Sequence, residues 1–168
     1  AVLKGEMVLG GLKGRHCLVI GSGKVGRLAA RAIAEREPSR FCIVNRSLRN
    51  AEMTASEAGA EARSLDELPA LLADADFILG AAYAPELVLS ESIYQEACKN
   101  RRRNTTVCMV DVGVPHILDK KLNSIDHVEL FNLEEMQGII DCHRRQRAGA
   151  AQHAWKIVDE EIKSYRSA

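Results

Sequence analysis

Short apolar runs recur along this chain, and mixed segments of helical period separate them. Cys17 to Ile20, Phe41 to Val44, Phe77 to Leu79, Val107 to Val110 and Val128 to Phe131 each read as a strand. The first strand spans about residues 15–20, and the others fall at about 41–44, 76–79, 107–110 and 127–131. A short third strand is expected at Ala60 to Arg63. Helices are predicted over residues 1–10, ending at Gly10-Gly11, over 24–36, stopped by Pro38, and over 48–58, ended by Gly59. Ser64 and Glu67 have capping-box spacing and open a further helix that runs to about Asp74, with Pro69 in its first turns, where proline is best tolerated. Leu87 to Arg103 is predicted to be mostly helical. A long helical segment without proline runs from Asn132 to the end, with Glu134 and Glu135 in its first turn.

Strands separated by helices imply a parallel sheet with helices on both faces. The predicted fold is therefore α/β, a Rossmann-type doubly wound parallel sheet with a long C-terminal helix. Two domains are expected: residues 1–131 as the nucleotide-binding unit, and 132–168 as the start of a spine toward a dimerisation region. On that spine Ala148, Ala151, Trp155, Val158, Ile162 and Tyr165 step by three and four, a stripe suited to another helix, in the same domain or in a second subunit.

In such a fold ligands bind outside the carboxyl ends of the strands, and Gly21, Asn45, Gly80 and Asp111 all fall there. Gly21-Ser22-Gly23-Lys24-Val25-Gly26 follows the first strand and opens a helix, the context in which Gly-x-Gly-x-x-Gly binds a dinucleotide. Gly21 takes the turn, Gly23 lets a diphosphate approach the backbone, and Gly26 lets the helix lie close on the strand. The helix N-terminus supplies N–H groups and a positive dipole end. The same turn could also be structural and bind nothing.

The residue about twenty positions past the glycines separates two cofactors, because a carboxylate there binds a ribose 2′-hydroxyl. This chain has Asn45 followed by Arg46 and Ser47, with Arg49 as a second cation. A guanidinium pairs with a 2′-phosphate through two hydrogen bonds, so NADPH is the expected cofactor. The alternative makes Arg46 a surface turn residue and Asn45 a helix cap. Gly80-Ala81-Ala82 either admit a ring against the backbone or pack closely. Ala81, Ala82, Val112 and Gly113 are the expected border of the nicotinamide.

Composition narrows this picture. The 168 residues carry no net charge, so no global field draws the chain to nucleic acid or membrane, and the arginines at 101–103 and at 144, 145 and 147 read as solvated surface. No membrane partner is expected, because no apolar stretch is long enough to span a bilayer, and no signal peptide is visible. The start is abrupt, as if a region had preceded it. Of five cysteines, Cys17, Cys42 and Cys108 sit in strand-like runs as small buried hydrophobes, and Cys98 and Cys142 fall on predicted helices. Unpaired cysteines fit a reducing cytoplasm. No metal-ligand spacing occurs, and no residue of the chain is expected to be catalytic.

Leu12-Lys13-Gly14, the glycine turn, Asn45-Arg46-Ser47, Ala75-Asp76, Val110-Asp111-Val112-Gly113-Val114-Pro115 and Val128 to Met136 together resemble the nucleotide-binding domain of glutamyl-tRNA reductase. The resemblance spans nearly the whole chain, and its early motifs are shared with shikimate dehydrogenase and related NADP enzymes. It implies an enzyme in which a cysteine of a preceding domain forms a thioester from glutamyl-tRNA. NADPH reduces that thioester to glutamate-1-semialdehyde, a tetrapyrrole precursor. It also implies a homodimer formed by a third, helical domain, to which the long helix is the connecting spine, and a fragment that binds cofactor without turning over tRNA. Two stretches depart from the family pattern. His116-Ile117 stand where Arg-Asp is usual, and Gly80-Ala81-Ala82 where Ser-Ser-Thr is usual. These departures support an alternative, the cofactor domain of another NADP-dependent dehydrogenase. A non-catalytic nucleotide-binding or assembly module is the third reading.

Overall fold

A computed structural model describes residues 1–99, 101 and 105–136. Its elements in order are α1 (Val2–Leu9), β1 (His16–Ile20), α2 (Lys24–Ala34), β2 (Arg40–Asn45), α3 (Leu48–Ala58), β3 (Glu61–Ser64), α4 (Leu68–Leu72), β4 (Phe77–Gly80), α5 (Glu91–Cys98), β5 (Val107–Asp111) and β6 (Val128–Asn132). Short 3-10 turns at Leu65–Glu67 and Lys120–Ser124 precede α4 and β6. The six strands form one sheet in the order β3-β2-β1-β4-β5-β6, and every pairing is parallel. The order reverses at β1 and β4, which pair directly, with Ile20 opposite Gly80. That pair is the topological switch point, where a crevice opens at the carboxyl rim.

The sheet is buried on both faces, which is why its central strands read as unbroken apolar runs. Leu18, Ile20, Val44, Ile78 and Met109 pack with Leu68, Leu72 and Tyr94 of α4 and α5 in one core. Their neighbours alternate to the opposite face. There Gly5 of α1 lies so close to Phe77 that a Cβ would sit 2.5 Å from the ring. At the amino edge Asp76 is buried and accepts the His16 N–H at 3.0 Å, which ties β4 to β1 at the end away from the crevice.

Local chemistry explains most element ends. Ser64 and Glu67 form the capping box, and Pro69 occupies the first turn of α4. Gly59 closes α3 at φ 64. The helix predicted for 87–103 is shorter. Val88 and Leu89 donate their N–H groups to the Ile117 carbonyl at 2.8 and 3.0 Å, so this segment is extended and α5 begins after Ser90, its cap. The predicted 64–74 helix divides into a 3-10 turn and α4. Asn132 is the last residue of β6, and Leu133 to Met136 directly after it are helical, so it stands at the start of the predicted C-terminal helix.

The chain divides into two compact units, Ala1–Leu133 and Glu134–Ala168. Residues 137–168 lie outside the described residues, so most of the predicted spine, its apolar stripe, Cys142 and the second arginine cluster do too. No helix among the described residues is long and apolar enough to cross a membrane.

Candidate functional site

Three chain crossings build the crevice. The first follows β1. Gly21 has φ 110, which L side chains rarely adopt, and a Cβ there would lie 2.6 Å from the Ala82 nitrogen. At Gly26 a Cβ would lie 2.1 Å from the Gly21 carbonyl oxygen. Both glycines are thus required by the chain's own packing. Gly23 is different. It caps α2 at an ordinary φ of −70, and nothing lies within 4 Å of the position its Cβ would take. Neither packing nor dihedral angle calls for glycine there, but a ligand approaching the backbone would.

The first backbone bond into α2 runs from Arg27 N–H to Gly23 C=O at 2.9 Å, and no side chain caps the helix. The N–H groups of its first turn are therefore directed out of the helix end toward the glycine turn, a geometry that suits an anion. Ser22 is buried in this turn, while Lys24 and Val25 face solvent.

The second crossing follows β2. The Gly21 N–H donates to Val44 C=O at 2.8 Å, which joins it to the glycine turn. Asn45 donates through Nδ2 to the Ser47 carbonyl at 3.2 Å, and Ser47 caps α3 by accepting the Asn50 N–H. Asn45 therefore braces the turn, and the cap is Ser47. Arg46, between them, is exposed. Gly21, Asn45, Arg46, Ser47 and Ala82 all line one cleft of about 330 Å³. Sequence reading missed Asn50, Leu65 and Tyr83, which line it too. Arg49 lies on the exposed first turn of α3, beside Asn50. For Asn50 the available signal was its position at the third residue after the Ser47 cap.

The third crossing joins the exits of β4 and β5. The Val112 N–H donates to Gly80 C=O at 2.8 Å, and a Cβ on Gly113 would lie 3.1 Å from the Ala82 carbonyl oxygen. Ala81, Ala82, Val112 and Gly113 are thereby brought together. The Asp111 carboxylate, itself buried, accepts the N–H groups of Gly113, Ile117 and Leu118, each at 2.9 Å, and ties the following loop into a knot. The His116 Nδ1 stands 3.6 Å from the same carboxylate. At Gly80 the chain itself packs closely. A Cβ there would meet the Ile117 side chain at 3.1 Å and Leu118 at 3.2 Å. The two departures from the family pattern thus touch, with Ile117 filling the room above Gly80.

No activated thiol stands among the described residues. Burial pushes the Cys17 and Cys108 thiols up to about 12 and raises Cys42 and Cys98 as well. Nor does any group of three or more His, Cys, Asp or Glu among the described residues have the arrangement of a metal site.

Residues 4–139 match the family model described as shikimate / quinate 5-dehydrogenase. The chain is 31% identical over 166 residues to the glutamyl-tRNA reductase of Bacillus subtilis, covering 99% of this chain and 36% of that protein. It therefore spans just over a third of the length of the curated relatives it matches. The structure of glutamyl-tRNA reductase from Methanopyrus kandleri superimposes with a TM-score of 0.86 at 26% identity, covering 97% of this chain and 41% of that one. The nucleotide binding domain of glutamyl-tRNA reductase from Thermoplasma volcanium superimposes with a TM-score of 0.58 at 17% identity, over 80% of this chain and 86% of that one, a likeness of fold.

Proposed function

The chain belongs to the shikimate / quinate 5-dehydrogenase family, and from that premise we propose that it is the NADPH-binding, hydride-delivering domain of a glutamyl-tRNA reductase-like oxidoreductase of tetrapyrrole biosynthesis. One observation carries the cofactor reading. Gly23 faces open space at an uncapped helix end, next to a cleft lined by an exposed arginine. The backbone from Gly21 to Gly26, with Ser22, Lys24 and Val25, would hold the diphosphate on the N–H groups of α2. Arg46 would pair with the 2′-phosphate, and Asn45, Ser47 and Arg49 would flank the adenosine ribose. Ala81, Ala82, Val112 and Gly113 would border the nicotinamide.

When bound, the cofactor supplies the hydride that reduces a thioester to an aldehyde. The thiol that carries the acyl group would belong to a separate, preceding catalytic domain, a reading supported by the raised, neutral thiols of Ala1–Leu133. On this reading glutamyl-tRNA engages the full-length enzyme, a cytoplasmic homodimer whose dimerisation region the 132–168 spine leads to, and the present chain alone is inactive toward it. A second reading, the cofactor domain of another NADP-linked dehydrogenase, is favoured by the Ile117–Gly80 contact, because an apolar side chain there changes the substrate end of the crevice.

Fluorescence titration with NADPH and NADH tests the proposal. Arg46→Ala is expected to weaken NADPH about tenfold or more and to leave NADH nearly unchanged, since a charge-assisted pair contributes about 1.5–3 kcal/mol. Failure of the wild-type chain to bind NADPH at millimolar concentration would overturn the proposal. Equal loss for both cofactors would remove Arg46 from the phosphate site.

A further inference from the structure

The cleft beside Arg46 is two-sided. Its inner part is lined by Ile20, Val44, Leu65, Ala84 and Val88, and its mouth by Asn45, Arg46 and Ser47. A phosphate cannot sit against that inner part without losing its partners in water, whereas a flat heteroaromatic ring can. Tyr83 lines the same cleft with 82% of its surface exposed. Tyr94, by contrast, is fully buried, and its hydroxyl meets His127 Nε2 at 3.3 Å. Tyr83 follows directly on Ala82, whose backbone is pressed against Gly21 so tightly that a Cβ on that glycine would lie 2.6 Å from the Ala82 nitrogen. The tyrosine is therefore anchored to the same turn that positions the helix end. It presents an open aromatic ring at an apolar slot whose rim carries a guanidinium.

From this arrangement we propose that Tyr83 is a specificity-determining residue that stacks on the purine ring of the bound cofactor, so that Tyr83 and Arg46 together recognise one adenosine 2′-phosphate unit. This rests on the dinucleotide reading above and extends it to the base. Stacking needs the aromatic face and not the hydroxyl, so phenylalanine should serve and alanine should not. Because the side chain is so exposed, its removal leaves the core intact.

The test uses 2′,5′-ADP, which carries the base and the extra phosphate but no nicotinamide, together with its 1,N6-etheno derivative. Tyr83→Ala is expected to weaken 2′,5′-ADP roughly tenfold, the scale of base–aromatic stacking, while Tyr83→Phe stays within about twofold of wild type. The etheno fluorescence should be quenched on binding to wild type and Tyr83→Phe, and much less on binding to Tyr83→Ala. Thermal melts of both variants should match wild type. If wild type binds 2′,5′-ADP and Tyr83→Ala binds it equally well with the same quenching, the stacking role is overturned and the dinucleotide reading stands. If wild type binds neither 2′,5′-ADP nor NADPH, both fall together.

Discussion

The two halves of the carboxyl rim are built on opposite plans. Over β1 and β2 the rim is open: Gly23 has no neighbour within 4 Å of its Cβ position, and a cleft of about 330 Å³ runs past Arg46. Over β4 and β5 it is closed by the chain itself. There Ile117 and Leu118 cover Gly80, and Asp111 takes three N–H groups at 2.9 Å. The open half leaves the uncapped end of α2 and the Arg46 side chain directed outward, as a binding surface must, while Asn45 and Ser47 brace it from within. The closed half satisfies its polar groups internally, so it serves as a rigid wall. The contrast shows that a sheet end can carry both a site and its scaffold, and that only the pattern of satisfied bonds tells them apart.

Asp111→Ala strikes the wall hardest. It leaves three backbone donors of a buried knot without an acceptor, so urea denaturation should show a loss of about 3 kcal/mol or more. A loss below about 1 kcal/mol would mean that the knot does not hold the closed half. The glycine turn spans both plans. Gly26→Ala drives a Cβ to 2.1 Å from the Gly21 oxygen and should cost about 2 kcal/mol in stability as well as cofactor binding. Gly23→Ala should change stability by no more than about 1 kcal/mol yet still weaken NADPH, because its Cβ enters only the space a diphosphate would use. Equal destabilisation by both substitutions, measured by melting alongside titration, would erase the distinction between the two glycines.

The last effect is confined to alkaline pH and concerns what neither half supplies among the described residues, a nucleophile. Burial raises the Cys17 and Cys108 thiols from 9.0 to about 12, so the folded chain keeps them neutral where the unfolded chain would ionise them. The stability this contributes is complete below about pH 9 and is lost as the pH rises toward 12. Melting temperature should fall across that window, and less steeply in Cys108→Ala. An identical slope in the two proteins would refute the assignment.

Much of the rim was legible from local signals. Gly21 announces a turn because few other residues tolerate its φ of 110, and Ser64 with Glu67 announces a helix start because the two side chains satisfy each other's backbone. Arg46 could be placed at the end of β2 because a short apolar run leads straight to it. The stretch 87–90 misled for the opposite reason. Leu87-Val88-Leu89 has helical character locally, but the Ile117 carbonyl accepts the Val88 and Leu89 N–H groups and holds the segment out of the helix. Tyr83 and Leu65 could not be assigned to the cleft, because they reach it from separate elements.

Element order, the parallel sheet, the glycine turn and the cation beyond β2 are written in the chain, because periodicity and backbone stereochemistry act over a few neighbouring residues. Which half of the rim stays open is not written there. It depends on Ile117 meeting Gly80 and on Ala82 meeting Gly21, contacts between distant residues that exist only once β1, β4 and β5 lie side by side.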